Sequence, residues 1–531
     1  MSDVLTALTQ LIQPFTLLLL VLGAIWGIVS SAIPGMSTAV GLALLLPLTF
    51  SLTPLESVVL LAATWSGMEY GGAIPAILIN TPGSPASAAT TLDGHALFKQ
   101  GQGGKALGAA LVWGLIAQFV SVIICTILII PLSRALLAFG PLEIFAVAIF
   151  GLTIVTSFGG SGKVKAGISL LFGLIVATVG FDPFSGTARL TFGSIDLEEG
   201  FGIVPVLIGL FAIGELLIQA SRSTKTPRID LKSINLSAKL PTLKELNAMK
   251  KTGAIGTAIG IVVGIMPGAG GMAASYAAWN EARRWSKEPE KFGKGSMEGV
   301  VASESANNAN IPGSILPMLT FGVPGDAAAA VFMGALLIQG IRPGSELFSQ
   351  NVDILWTLLF ALILANPVIL GLGIALIKPS IRLVSLPKAY VQAGILGLVV
   401  TGAYAAGNSG FDILVVAGMG VVGWAMLRFG FSAGAATLGL VLGGLLESNL
   451  RRALTLSDGL GFFFSSPIAT VMFSLAVLTL VAPFLGRLLP RRLRRRAAER
   501  ATTPEQVMEA QEEIADESTT VNADSDVETK G

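Results

Sequence analysis

Cysteine and histidine are almost absent from this chain, which has one of each, Cys125 and His95, among 531 residues. A lone cysteine excludes an intrachain disulfide, and a lone histidine leaves a histidine-based metal site short of ligands. With no matched acid pair either, no nucleophile or metal constellation for an enzyme emerges, and no cofactor is expected. Charge is scarce as well: 13% of residues are Asp, Glu, Lys or Arg and the net charge is +1, so no nucleic-acid partner is expected. A nucleotide site is excluded on motif grounds. The GGSGK run at 159–163 lacks the glycine five residues before Gly162 and the Ser/Thr after Lys163. GAGGMA at 268–273 fits the dinucleotide fingerprint in letters, but it lies in an apolar repeat and not between a strand and a helix.

What the chain has in abundance is apolar surface. At 53% hydrophobic residues and a mean hydropathy of +0.76, it carries more than a soluble core can hide. Runs at 106–131, 352–377 and 466–489 are each long enough to cross a hydrocarbon core of about 30 Å. The first apolar segment lacks a basic n-region and a small-residue cleavage site, so it is expected to stay as a span. Basic residues cluster at 221–251 and at 487–500, the latter with seven arginines against one glutamate. Both segments are expected to be cytoplasmic by the positive-inside rule. Beyond them, 491–531 turns from basic to acidic and reads as a disordered cytoplasmic tail.

An internal repeat organises the rest. GAIWGIVSSAIPGM at 23–36 matches GTAIGIVVGIMPGA at 256–269, which places Gly23, Gly27 and Ser31 on Gly256, Gly260 and Gly264. PAILINTPGS at 75–84 matches PMLTFGVPGD at 317–326. The small-xxx-small stripes suit close helix packing in lipid, and each leads to a Pro-Gly break. Lys and Arg exchange loops between the halves: 281–298 carries five where 51–57 has none, and 95–105 carries Lys99 and Lys105 where 340–352 has Arg342 alone. The expected architecture is an all-α polytopic membrane protein of two inverted-topology repeats, 1–220 and 252–490, joined by the basic linker 221–251. It has about 11–12 crossings or hairpins, a periplasmic N-terminus and a cytoplasmic C-terminus. The stretch 58–94 is expected as one crossing, and the short run 432–446 as a crossing or a re-entrant segment.

Inverted repeats with interrupted helices are the pattern of secondary transporters, whose half-helix ends form a mid-membrane binding site. The breaks are Pro34-Gly35, Pro82-Gly83, Pro267-Gly268 and Pro324-Gly325. Each frees backbone N–H groups at a half-helix start, where an anion is favoured. Gly270 and Gly271 follow the third break, and neutral donors crowd all four: Ser37, Thr38, Asn80, Thr81, Ser84, Asn307, Asn308, Asn310 and Thr320. An anionic substrate is expected to be held by these groups without salt bridges. A plainer reading makes the asparagines helix glue and lets Ser37 and Thr38 bond their own helix. Glu69, Glu304 and Asp326 are the candidates for ion coupling; the glutamates read equally as interfacial acids, and Asp326 as a helix cap. His95 and Lys99 are expected on a solvated turn. No metal is expected beyond a transported Na+.

Gly71 to Leu107, GGAIPAILINTPGSPASAATTLDGHALFKQGQGGKAL, resembles the signature of the large membrane subunit of the tripartite tricarboxylate transporters. So do GIMPGAGG at Gly264–Gly271 and SESANNANIPGSILPMLTFGVPGDAAAA at Ser303–Ala330. Ala73, Ser84 and His95 stand where that pattern more often has serine, threonine and tyrosine. The resemblance, over roughly 10–490, implies a permease in the bacterial inner membrane with a small membrane subunit of about four helices and a periplasmic binding protein that delivers di- or tricarboxylates. Importing such anions against an interior-negative potential costs about 2.3 kcal/mol per charge per 100 mV, so Na+ or H+ symport is expected. Transport of another small organic anion and an anion channel are the alternatives.

Overall fold

The computed structural model describes residues 2–136, 139–158, 162–221, 239–384, 388–407, 409–456, 463 and 465–488. Most of the basic linker, the start of the GGSGK run, most of the arginine-rich segment and the acidic tail lie outside these residues. Residues 1–476 and 477–531 form two compact units.

The first half begins with α1 (Ser2–Leu11), α2 (Pro14–Ser31), the short α3 (Thr38–Ala43) and α4 (Leu46–Thr49), and α5 (Pro54–Ile79). It continues with α6 (Ala88–Lys99), α7 (Gly103–Leu136), α8 (Pro141–Phe158) and α9 (Lys163–Ala177), followed by a small antiparallel pair, β1 (Gly180–Phe181) and β2 (Ala188–Arg189). It closes with α10 (Ile203–Leu207), which runs through a π-helical stretch at Ile208–Ile213 into α11 (Gly214–Ser221). The second half comprises α12 (Leu243–Ile265), α13 (Gly270–Trp285), α14 (Met297–Phe321), α15 (Ala327–Ile338), α16 (Ser345–Gln350), α17 (Val352–Ala375) and α18 (Ile377–Val384). Then come α19 (Lys388–Gly407), α20 (Gly410–Phe429), α21 (Ala433–Thr455) and α22 (Pro467–Leu488).

Among the described residues seven helices are long and apolar enough to cross a membrane, and the protein is a multi-pass, all-α membrane protein. The sequence-predicted breaks fall where expected: helix is lost between Ser31 and Thr38, Ile79 and Ala88, Ile265 and Gly270, and Phe321 and Ala327. The stretch 58–94 divides at its expected break: α5 ends at a left-handed Asn80 (φ 55°) and α6 starts after a short 3₁₀ turn at Pro85–Ser87. The run 432–446 belongs to a 23-residue helix, α21, long enough to span, which favours a crossing over a re-entrant segment. Its polar last turns, from Glu447 onward, hid that length from an apolar-run reading.

Helix lengths set the depth of the breaks. The 12 residues of α6 and of α15 reach roughly 18 Å each at 1.5 Å per residue, too short for a core of about 30 Å. Each can only complete a path begun by a longer partner, α5 or α14.

Glycine brings the long helices together. Gly67 and Gly71 of α5 leave room for only 2.7 and 2.6 Å between an added Cβ and the Ala24 and Ile28 carbonyl oxygens of α2. In the second half Gly256 and Gly264 of α12 approach the Ala302 and Asn310 carbonyls of α14 to 2.6 and 2.8 Å on the same construction. In lipid, such backbone-to-backbone packing is what holds helices together. The packing after each stripe recurs too. The Thr81 N–H donates to the Pro75 carbonyl at 3.4 Å and the Val323 N–H to the Pro317 carbonyl at 3.3 Å. Asn80 and Gly322, both left-handed, end α5 and α14.

One end of the fold is tied by charge. Arg189 makes a bidentate pair with Glu447 at 2.7 and 3.2 Å, and Arg451 reaches Asp182 at 2.7 Å and Glu447 at 2.8 Å. These pairs fix the β1–β2 segment to the polar end of α21.

Candidate functional site

Three carboxylates sit beside the breaks, held in two different ways. Glu69 of α5 has one oxygen, Oε1, accepting from the Thr38 hydroxyl of α3 at 2.9 Å and the Trp65 indole at 3.2 Å. Its Oε2 is buried and without a hydrogen-bond partner. Glu304 of α14 repeats the pattern: Oε1 accepts from the Thr90 hydroxyl of α6, and Oε2 is buried and unpartnered. Asp326 differs. Its Oδ1 accepts the Ala329 N–H at 2.8 Å, capping α15, and its Oδ2 accepts from Asn310 at 3.0 Å and Ser314 at 3.1 Å. None of the three has a Lys, Arg or His partner among the described residues. No three His, Cys, Asp or Glu among those residues come close enough to hold a metal ion, so the carboxylates do not form one cluster.

Asn307 reaches from α14 to α5, where its amide donates to the Glu69 main-chain carbonyl at 3.4 Å. Its Oδ1 has no partner and, like Asn310 Oδ1, is buried. Unpartnered acceptors inside a protein are costly unless something supplies a proton or positive charge.

The four half-helix starts also differ. α3 is capped by Ser37, whose hydroxyl accepts the Val40 N–H at 3.4 Å, and α15 by Asp326. The turn at Pro85–Ser87 and α13 have no side-chain cap. Those two uncapped starts meet: a Cβ on Gly271 would lie 2.9 Å from Ala86 Cβ and 3.2 Å from the unpartnered Asn307 Oδ1. Gly270, left-handed at φ +68°, is next to Asp326, and Gly268 donates its N–H to the Gly325 carbonyl at 2.7 Å. The fold thus gathers Thr38, Glu69, Ser84, Gly268, Gly270, Gly271, Glu304, Asn307, Asn310, Gly325 and Asp326 around the second, third and fourth breaks, with the buried Pro267 and Pro324 at the latter two.

Other expected residues are placed elsewhere. Gly35, beside Pro34, packs against Gln219 and Glu215 of α11. Asn308 donates to the Glu304 carbonyl of its own helix at 2.9 Å and faces Gly114 of α7. Thr320 bonds the Leu316 carbonyl at 2.7 Å and lines a cavity of about 800 Å³ that also holds Gly322, Arg342 and Arg452. Asn80 is exposed, and the Thr81 hydroxyl returns to the Ile79 carbonyl at 3.3 Å beside Pro82. Gly83 is wedged against the Ser31 carbonyl. His95 is not on a solvated turn: it lies in α6, half-buried, with Nδ1 3.2 Å from the Ile77 carbonyl.

Sequence reasoning missed Trp65, Thr90, Ser314 and Asp93. Trp65 and Ser314 carry a signal, since each lies one helical turn from a site residue, Glu69 and Asn310. Thr90 and Asp93 carry none, because their partners are more than 180 residues away in the chain.

A family model for the tripartite tricarboxylate transporter TctA family matches residues 17–438. The chain belongs to the TctA family. The chain is also similar to two relatives from Agrobacterium vitis. One, described as an uncharacterised 52.8 kDa protein in the TAR-I ttuC' 3' region, is 32% identical over 487 residues, covering 90% of this chain and 94% of the relative. The other, from the TAR-II ttuC' 3' region, is 32% identical over 227 residues, covering 43% of this chain and 94% of the relative. No solved structure matches. TctA membership makes the chain a subunit of a tripartite transporter, which implies a small membrane subunit and a periplasmic binding protein as its partners. The matched residues contain every break and all three of these carboxylates.

Proposed function

We propose that this TctA-family chain is the permease of a secondary active importer that takes di- or tricarboxylates from a periplasmic binding protein. It works by alternating access in the bacterial inner membrane, coupled to Na+ or H+. The two halves are inverted repeats, with a periplasmic N-terminus, a cytoplasmic C-terminus, and a small membrane subunit of about four helices alongside.

The observation that carries this reading is the meeting of two half-helix starts without side-chain caps, at Ala86 and Gly271. N–H groups at the two starts receive a substrate carboxylate, and Ser84, Gly270 and Gly271 let it approach the backbone. Glu69 and Glu304, each with one bare buried oxygen, receive the coupling ion. A proton or Na+ there satisfies the unpartnered acceptors and removes the negative charge that opposes an entering anion. Asp326 has both oxygens engaged and needs no ion. Pro34, Gly35, Ser37, Asn80, Thr81, Pro82, Gly83, Pro267, Gly268, Pro324 and Gly325 shape the breaks, and Asn308 and Thr320 brace them. The cavity bearing Arg342 and Arg452 serves as the vestibule through which the anion reaches the fourth break.

Uptake of labelled dicarboxylates and citrate into vesicles carrying this chain, its small subunit and its binding protein tests the proposal, with sodium and pH gradients imposed separately. Accumulation that needs one gradient and stops without the binding protein is expected. Assembled complex that accumulates no carboxylate overturns the carboxylate reading and points to another organic anion; uptake that equilibrates without concentrating overturns coupling and points to a channel.

A further inference from the structure

The two halves present matching breaks with one chemical difference. PAILINTPGS and PMLTFGVPGD align Ser84 with Asp326, and the structure keeps them equivalent: each stands four residues past a left-handed helix end, Asn80 or Gly322. In the first half the Ser84 hydroxyl meets the Ser87 hydroxyl at 3.4 Å, so no built-in anion occupies that start. In the second half the Asp326 carboxylate stands at the helix start itself, and it has taken the donors. The Ala329 N–H, the Asn310 amide and the Ser314 hydroxyl all point at it.

We propose that Asp326 sets the number of carboxylates the substrate can bring: it takes the place a further substrate carboxylate would occupy at the start of α15, so the transported anion is a dicarboxylate and not a tricarboxylate. The proposal rests on the reading of the breaks as the anion site. A carboxylate is stabilised inside a protein by donors aimed at it, and leaving it without them costs several kcal/mol. The Ala329 N–H, the Asn310 amide and the Ser314 hydroxyl are engaged by Asp326, and a substrate carboxylate brought there would meet its like charge. The aspartate is within reach of a ligand, since it is partly exposed and a Cβ on neighbouring Gly270 would lie 3.5 Å from its Cβ. The start of α13 and the Ala86 N–H of the Pro85–Ser87 turn carry no side-chain cap.

Glutarate and propane-1,2,3-tricarboxylate share a three-carbon chain between their outer carboxyl groups and differ by one carboxylate, so their affinity ratio isolates the effect. Both are titrated calorimetrically, in sodium at fixed pH, into the purified complex of the full chain with its small subunit. No binding protein is present to filter them. The wild type is expected to favour glutarate at least roughly tenfold, and Asp326→Ser to lower that ratio by roughly tenfold or more. The isosteric Asp326→Asn, which keeps the cap on Ala329 but gives up acceptance at Oδ2, is expected to lower it less, and it serves if the serine variant does not fold. An unchanged ratio in a folded variant, or a wild type that prefers the tricarboxylate, overturns the proposal while leaving the carboxylate site standing. A wild-type complex that melts cooperatively yet binds neither compound overturns the site reading and this proposal with it.

Discussion

The Gly83 N–H donates to the Gly72 carbonyl at 3.1 Å, and this bond folds the second break back onto the helix that leads into it. The fold-back wedges Gly83 so tightly between α2 and α5 that a Cβ there would overlap the Ser31 carbonyl and lie 2.7 Å from Gly72 Cα. Gly325 is placed alike, 2.5 Å from the Gly264 carbonyl and 2.7 Å from Ser314 Cα on the same construction.

Gly83→Ala is therefore expected to lower stability by about 1–3 kcal/mol, as overpacking does, and to impair transport with it. Gly418→Ala in α20 meets nothing within 4 Å and should be neutral or slightly stabilising. Thermal unfolding in detergent compares the two; equal midpoints would mean the break can shift to admit a methyl group.

Replacing the bare acids separates ion coupling from packing. Glu69→Gln and Glu304→Gln each keep an oxygen for Thr38 or Thr90 but cannot carry the charge that a proton or Na+ neutralises. Each variant should fold, and its initial uptake rate should lose roughly tenfold or more of its response to the coupling gradient. A gradient response equal to wild type would remove that glutamate from the coupling site.

Asp93 ties the middle of α6 to α13 and to the turn before α14. Its Oδ1 accepts from the N–H groups of Gly293, Gly295 and Ser296 at 2.8, 3.0 and 2.7 Å, and its Oδ2 accepts the Trp279 indole at 2.7 Å. Asp93→Ala leaves these donors without their acceptor and should cost on the order of 3 kcal/mol. Faster proteolysis at 286–296 and a lower unfolding midpoint are the expected readouts, and unchanged values would show that water replaces the carboxylate freely.

The pH response of the β1–β2 segment follows from Asp182. The Phe184 N–H first, and then Arg451, hold its carboxyl down to about 2, against 3.8 for an unperturbed aspartate. A depressed carboxyl stabilises the folded form above its unfolded value and loses that contribution as pH falls through the folded one. The attachment to α21 is thus expected to hold at pH 4 and above and to weaken between about pH 4 and 2. Hydrogen exchange of residues 180–189 across that range reads it; protection lost well above pH 4 would contradict the assignment.

The sequence by itself determined the membrane as solvent, the four breaks and the glycine stripes. These features depend on composition and on residues close together in the chain: apolar length, the backbone chemistry of proline and glycine, and the spacing that puts small residues on one helix face. It could also pair the halves, because the repeat is written in both. Tertiary structure decided what each polar group does. Asn307 and Asn308 are neighbours in sequence, yet the helical step turns one toward Glu69 and the other toward Gly114. Glu69, Glu304 and Asp326 are all ion-coupling candidates in the sequence, but the fold gives Asp326 three donors and leaves each glutamate one bare oxygen. Those differences arise from contacts between helices, such as Thr90 with Glu304 or Asp93 with Trp279, brought together from distant parts of the chain. Local patterning fixes where a helix breaks; only packing between helices fixes which oxygen is left without a partner.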